Sequence, residues 1–140
     1  MIYYVVGKSG SGKTQYLLDE INKAKENDLS NIVYINTDDD RTRITDYNIR
    51  VINAKSYKIK CPTALKAFIA GILARDYDIG KVYVDGIYDL IEFNEENLEK
   101  LTNELNELSE YAKADIILGL DWSKENIPDS IKAEIIEVNL

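Results

Sequence analysis

Short apolar runs alternate with amphipathic stretches along the chain. Ile2–Val6 is an unbroken apolar run that stops at Gly7, the pattern of a strand buried on both faces. From Gly12 to about Glu26, Leu17, Leu18, Ile21 and Ala24 recur on one face of a helix. Asn31–Asn36, with Ile32, Val33, Tyr34 and Ile35, predicts a second buried strand. Thr37–Tyr47 is polar, carries three consecutive aspartates (Asp38, Asp39, Asp40) and predicts a loop. Arg50–Ala54 predicts a short strand near a sheet edge. Pro62 stands where a helix can begin, and Leu65, Phe68, Ile69, Ile72 and Leu73 form its stripe. Lys81–Asp85 is a third strand, Val82-Tyr83-Val84 ending in Asp85. Asn94 can cap a long helix whose first turn holds Glu95 and Glu96. Its stripe, Leu98, Leu101, Leu105, Leu108 and Ala112, resembles a coiled-coil seam but is too short for one, so it predicts packing on a sheet. Asp115–Leu120 and Ala133–Val138 are the last strands. Strands joined through helices predict a mostly parallel sheet with helices on both faces, in one α/β domain spanning residues 1–140.

Composition narrows the chemistry. The 140 residues suffice for one core, and no apolar run approaches the roughly 18–20 residues of a membrane span. The apolar N-terminus lacks a basic leader and reads as a strand, not a signal peptide. There is one cysteine, Cys61, and no histidine. An internal disulfide, a structural zinc site and a Ser-His-Asp triad are therefore not expected, and a cytoplasmic location suits both facts. The net charge is −8, with 17 basic against 25 acidic residues. That balance disfavours nucleic acid as a partner.

The segment Gly7-Lys8-Ser9-Gly10-Ser11-Gly12-Lys13-Thr14 matches G-x-x-x-x-G-K-[ST] at every fixed position. Glycines let successive N–H groups turn into one concavity, an anion nest. Lys13 brings a positive charge to the β- and γ-phosphates of a nucleoside triphosphate. Thr14 offers its hydroxyl to Mg²⁺, and the following helix adds its positive dipole end. The expected ligand is ATP with Mg²⁺, held by residues 7–14. The bland alternative is a flexible Gly/Ser turn, but a preceding apolar strand and a following amphipathic helix are what the phosphate loop requires. Lys8, at a free position, reads as a solvated side chain.

A magnesium shell also needs a carboxylate at a neighbouring strand tip. Asp85 follows Val82-Tyr83-Val84 and is the candidate; an ordinary Asp85-Gly86 turn is the competing reading. Asp38 is the candidate water-orienting base, with a solvated acidic loop as its alternative. Asp121, after Ile116–Leu120, should emerge at the same sheet edge, as a γ-phosphate sensor or as a turn cap. Asp89 and Glu92 would share a face if helical, but read first as surface acids. Tyr88 and Trp122 are candidates for stacking on a base or for ordinary packing. Arg41, Arg43 and Arg75 are candidate arginine fingers, or surface charges.

These motifs resemble the additional-strand branch of the P-loop NTPases, in which a strand inserts between the two motif strands. That resemblance implies a three-layer α/β/α fold with a five-stranded sheet in the order 5-1-4-3-2. Val33-Tyr34-Ile35-Asn36-Thr37-Asp38 with Arg41 and Arg43, and Asp85-Gly86-Ile87-Tyr88-Asp89-Leu90, look like the corresponding segments of RecA-like ATPases. In that family the carboxylate at the position of Asp38 polarises the attacking water; here it is Asp where the family has Glu. Tyr34–Arg41 and Leu118-Gly119-Leu120-Asp121-Trp122 also resemble thymidine kinases of the zinc-containing type. That family places a catalytic glutamate where this chain has Gly86, and its cysteine-rich zinc lasso has no counterpart here. The expectation is a Mg²⁺-dependent ATPase with Lys13, Asp38 and Asp85 as catalytic residues, any arginine finger coming from within the chain, a protein partner or self-association. A nucleotide-dependent switch or assembly module with negligible hydrolysis is the second reading, and a nucleoside kinase the third.

Overall fold

The strand pairings put every described strand in one parallel sheet. The computed structural model describes residues 1–27, 31–37 and 49–138. Along the chain run β1 (Ile2–Val6), α1 (Lys13–Asn27), β2 (Asn31–Asn36), β3 (Ile49–Asn53), α2 (Pro62–Arg75), β4 (Ile79–Val84), α3 (Glu95–Ala112), β5 (Asp115–Leu120) and β6 (Glu134–Glu137). The sheet order is β3-β2-β4-β5-β1-β6. This corrects the expected five strands in the order 5-1-4-3-2. The difference arises at Ile49–Asn53, which pairs along the whole of β2, from Ile32↔Ile49 to Asn36↔Asn53, and becomes an edge strand. The sheet is parallel throughout, and β5 stands between β1 and β4. Most of the predicted Thr37–Tyr47 loop lies outside the described residues.

Side-chain alternation assigns the two faces. Ile2, Tyr4 and Val6 of β1, Val33 and Ile35 of β2, Val82 and Val84 of β4, and Ile116, Leu118 and Leu120 of β5 meet α2 and α3 in one core. Val5, Ile32, Tyr34, Tyr83 and Ile117 point the other way and meet Leu17, Leu18 and Ile21 of α1. Both faces are covered, so central strands read as continuous apolar runs instead of alternating ones.

Helix ends follow local chemistry. Pro62 opens α2 directly after Cys61, its missing N–H costing nothing where no intrahelical acceptor exists. Leu65, Ile69 and Leu73 face the sheet. At the start of α3 the Asn97 N–H donates to Asn94 Oδ1 and the Asn94 N–H donates to Asn97 Oδ1, both at 2.8 Å. This reciprocal box satisfies two donors at once. Leu98, Leu101 and Leu105 are buried as predicted, with Leu108 and Ala112 partly covered at the far end. Among the described residues no helix is long and apolar enough to cross a membrane.

Tyr4 ties α3 to the interior strand β1. Its hydroxyl lies 2.6 Å from Thr102 Oγ1, and Thr102 in turn donates to the Leu98 carbonyl at 2.7 Å, so Tyr4 is the donor to Thr102. Burial pushes the Tyr4 phenol up from its ordinary value of 10.0 to about 12. Between these values the unfolded chain has released a proton that the folded chain retains. Stability is therefore intact below the unfolded value and falls as pH rises across that window. Urea unfolding at stepped alkaline pH should reveal a fall on the order of 2–3 kcal/mol from this group. In Tyr4→Phe the alkaline fall should be shallower by that amount.

Candidate functional site at the carboxyl edge of the sheet

Because all strands are parallel, the segments after β1, β2, β4 and β5 leave the sheet along one edge. Open α/β sheets bind ligands in the crevice at that edge. Residues 7–14 leave β1 there, Thr37 leaves β2, Asp85 leaves β4 and Asp121 leaves β5.

The loop from Gly7 to Thr14 is shaped by its glycines. A Cβ on Gly7 would lie 2.5 Å from Ser11 Oγ and 2.7 Å from the Val138 carbonyl oxygen, so the loop closes only around a residue without one. Gly10 and Gly12 have φ of 80° and 94°, the left-handed region that glycine enters without steric cost. The Gly7 N–H donates to the Trp122 carbonyl at 3.0 Å, fixing the base of the loop to the segment after β5, and the Ser11 N–H donates to the Lys8 carbonyl at 3.0 Å. Lys8, Ser9 and Gly10 form the exposed tip, while Gly7, Ser11 and Lys13 are buried. As the first residues of α1, Lys13 and Thr14 carry N–H groups with no intrahelical acceptor, and these face the positive end of the helix dipole.

Lys13 is only 3% exposed. Its Nζ donates to the carbonyls of Gly7 at 2.7 Å and Lys8 at 3.0 Å. Asp121 Oδ1 lies 3.6 Å away, and the Tyr88 ring stands 5.2 Å below the ammonium, within cation–π range. The Tyr88 phenol is pushed up to about 12, first by burial and then by the charges of Asp85, Asp89 and Asp121. It therefore stays neutral at physiological pH. Tyr88 and Asp121, which the sequence offered for base stacking and phosphate sensing, are here the immediate surroundings of the lysine.

Asp85 is 5% exposed. Thr14 Oγ1 donates to its Oδ2 at 2.6 Å, and the Tyr34 hydroxyl approaches the same oxygen at 3.4 Å. Its N–H donates to the Ile35 carbonyl at 2.8 Å, extending the β2–β4 pairing by one step. Asp85 Oδ1 is buried with no hydrogen-bond partner among the described residues, as are Ser11 Oγ and Asn36 Oδ1. Orphaned buried oxygens at one sheet edge are unusual. A carboxylate oxygen and a threonine hydroxyl are hard donors that suit a divalent cation such as Mg²⁺. No group of three or more acidic or cysteine side chains that could hold a metal gathers among the described residues. An ion here would draw its other ligands from phosphate and water.

Gly86 has φ of 74°, and a Cβ on it would sit 2.5 Å from Thr37 Oγ1. A side chain beside Asp85 would therefore be strained by the left-handed backbone and would have to displace the Thr37 hydroxyl at the tip of β2. Asp89 and Glu92 are exposed, and the 3₁₀ turn Ile87–Asp89 ends before Glu92, so they share no helical face. Trp122 packs against the core, and its main-chain carbonyl is the part that meets the loop. Beside Lys8 and Asp121 opens a cleft of about 610 Å³, bordered by Trp122, Glu125 and Asn126. Arg75 ends α2, just before β4 begins, and so lies at the opposite edge of the sheet from Lys13. It is paired with Asp76 at 3.6 Å and cannot serve this site within one chain. Asp38, Arg41 and Arg43 lie outside the described residues.

Sequence reading assigned no role in the site to Tyr34, Asn36 or Thr37. Strand parity held the signal: Tyr34 and Asn36 share the face of β2 that Asp85 continues on β4. The chain matches no protein-family model and no curated protein.

Gly86→Ala should destabilise the fold by about 1–3 kcal/mol, because a Cβ is forced into a left-handed conformation. Part of that loss should return in Gly86→Ala combined with Thr37→Ala, which removes the colliding hydroxyl. A double-mutant cycle by chemical denaturation measures the coupling.

Proposed function

We propose that this protein is a P-loop nucleoside triphosphatase of the RecA-like type, binding ATP with Mg²⁺. The observation that carries the reading is one arrangement. A G-x-x-x-x-G-K-T loop joins a buried strand to an amphipathic helix, and the loop's Thr14 donates 2.6 Å to a buried aspartate two strands away. The intervening β5, between β1 and β4, fits the additional-strand branch.

In this reading the loop amides and Lys13 bind the β- and γ-phosphates. Lys13 exchanges the carbonyls of Gly7 and Lys8 and the nearby Asp121 for phosphate oxygens. Thr14 and Asp85 hold the Mg²⁺ side of the triphosphate, Asp85 through water. When bound, the ion neutralises charge that develops on the phosphates. Asp38 is retained as the water-orienting carboxylate. Phosphoryl transfer needs chiefly positioning and charge stabilisation. With no arginine placed at the site among the described residues, intrinsic turnover is slow unless a partner or a second copy supplies one.

A nucleotide-dependent switch with negligible hydrolysis is the second reading. Gly86 favours it, since Thr37 occupies the space where a second carboxylate would stand. The same position weighs against nucleoside kinase activity.

Calorimetric titration with Mg-ATP should give saturable binding that Lys13→Ala abolishes. Asp38→Asn should retain binding while phosphate release drops at least about tenfold. Binding without measurable phosphate release by the unmodified chain selects the switch, and label transferred to a nucleoside selects the kinase. If Lys13→Ala binds ATP as tightly as the unmodified chain, the reading fails.

Asp121→Asn supplies a separate check. Removing the carboxylate beside Lys13 should tighten Mg-ATP binding by about two- to tenfold at low ionic strength, and added salt should shrink the gain.

A further inference from the structure

Asn36 closes β2 on the same side of the sheet as Tyr34, the face that packs on α1. Ile35 pairs with Val84, so the next step of the register sets Asn36 opposite Asp85. The Asp85 N–H bonded to the Ile35 carbonyl shows that the two chains still run together at that step. Asn36 is only 6% exposed. Its main-chain carbonyl accepts from the Ala54 N–H at 2.8 Å, but its side-chain Oδ1 has no donor among the described residues. Leaving a buried amide oxygen unpaired is costly, and Asn36 is the buried polar residue at the carboxyl end of β2.

The donors nearby are spoken for. The hydroxyls of Thr14 and Tyr34 are directed at Asp85 Oδ2. Gly86, next along the chain, brings no side chain to the edge, and one there would meet the Thr37 hydroxyl in a left-handed backbone. Among the described residues no donor reaches Asn36 Oδ1, and water bound to a divalent cation is a strong one.

Resting on the nucleotide reading above, we propose that Asn36 is a positioning residue for the metal. Its side-chain carbonyl accepts a hydrogen bond from a water on the Mg²⁺ held at Thr14 and Asp85. It takes the second polar place that Gly86 cannot supply. The role is outer-shell: no bond from Asn36 to the ion is required, and outer-shell acceptors orient the ligands they touch.

The test measures how strongly Mg²⁺ and ATP reinforce each other. ATP affinity of the full chain is determined by calorimetry in excess Mg²⁺ and in EDTA, and the ratio is the coupling. Asn36→Ala should lower the coupling about three- to tenfold while leaving affinity in EDTA unchanged. Asn36→Asp keeps an acceptor of the same size and should retain or raise the coupling. Placed opposite Asp85, its added charge should also lower the thermal midpoint of the ligand-free protein, a loss that Mg-ATP reverses. Coupling unchanged in Asn36→Ala overturns the proposal. So does equal loss of coupling in both variants, which marks a packing role. Should Asn36→Ala fail to fold, coupling in Asn36→Asp below that of the unmodified chain overturns it, and coupling at or above supports it. If the unmodified chain binds no ATP in either condition, the nucleotide reading falls first and takes this proposal with it. If it binds ATP and only the Asn36 results fail, the nucleotide reading stands.

Discussion

The 2.6 Å hydrogen bond from Thr14 to Asp85 is the interaction on which the site depends. It joins the first turn of α1 to the tip of β4 across the width of β5. Two features make that reach possible. The sheet is parallel, so both groups arrive at one edge. The register of β4 on β5 and of β5 on β1 sets their relative height. A one-residue slip in either pairing would turn Asp85 to the other face. The apolar residues that fix the register are therefore as necessary to the site as the residues that form it.

Much of this was legible beforehand. The four buried strands, the three helical stripes and the glycine-rich turn after β1 follow from hydrophobic period and from one motif whose fixed positions each have a mechanical reason. Asp85 was readable because a polar residue ends an apolar run. Arg50–Ala54 read as a short edge strand, and the strand lies at Ile49–Asn53, only partly buried; the five-strand order implied by the resemblance had no place for it. Its pairing with β2 depends on a connection that local pattern does not describe. The reciprocal cap of α3 was half visible: Asn94 announced itself, while Asn97 acts through its side-chain oxygen, where Glu or Gln is the usual partner.

The site's inner lining was less legible because it depends on side chains that meet only in three dimensions. Tyr34 reads as core and is core, yet its hydroxyl reaches Asp85. Thr37 reads as the start of a loop, yet its hydroxyl stands where a Cβ on Gly86 would be. Asp121 and Tyr88 were singled out for contacts with a ligand. In the fold they surround Lys13, an arrangement no spacing rule predicts, since residues 13, 88 and 121 come from three separate segments.

The folded-in lysine has a consequence for how a ligand would enter. Two main-chain carbonyls and a nearby carboxylate already share the charge of Lys13. Under the proposed reading an incoming anion must displace them, and one with several linked charges, reaching the amides and the helix start as well as the ammonium, offers more in exchange than a single small ion.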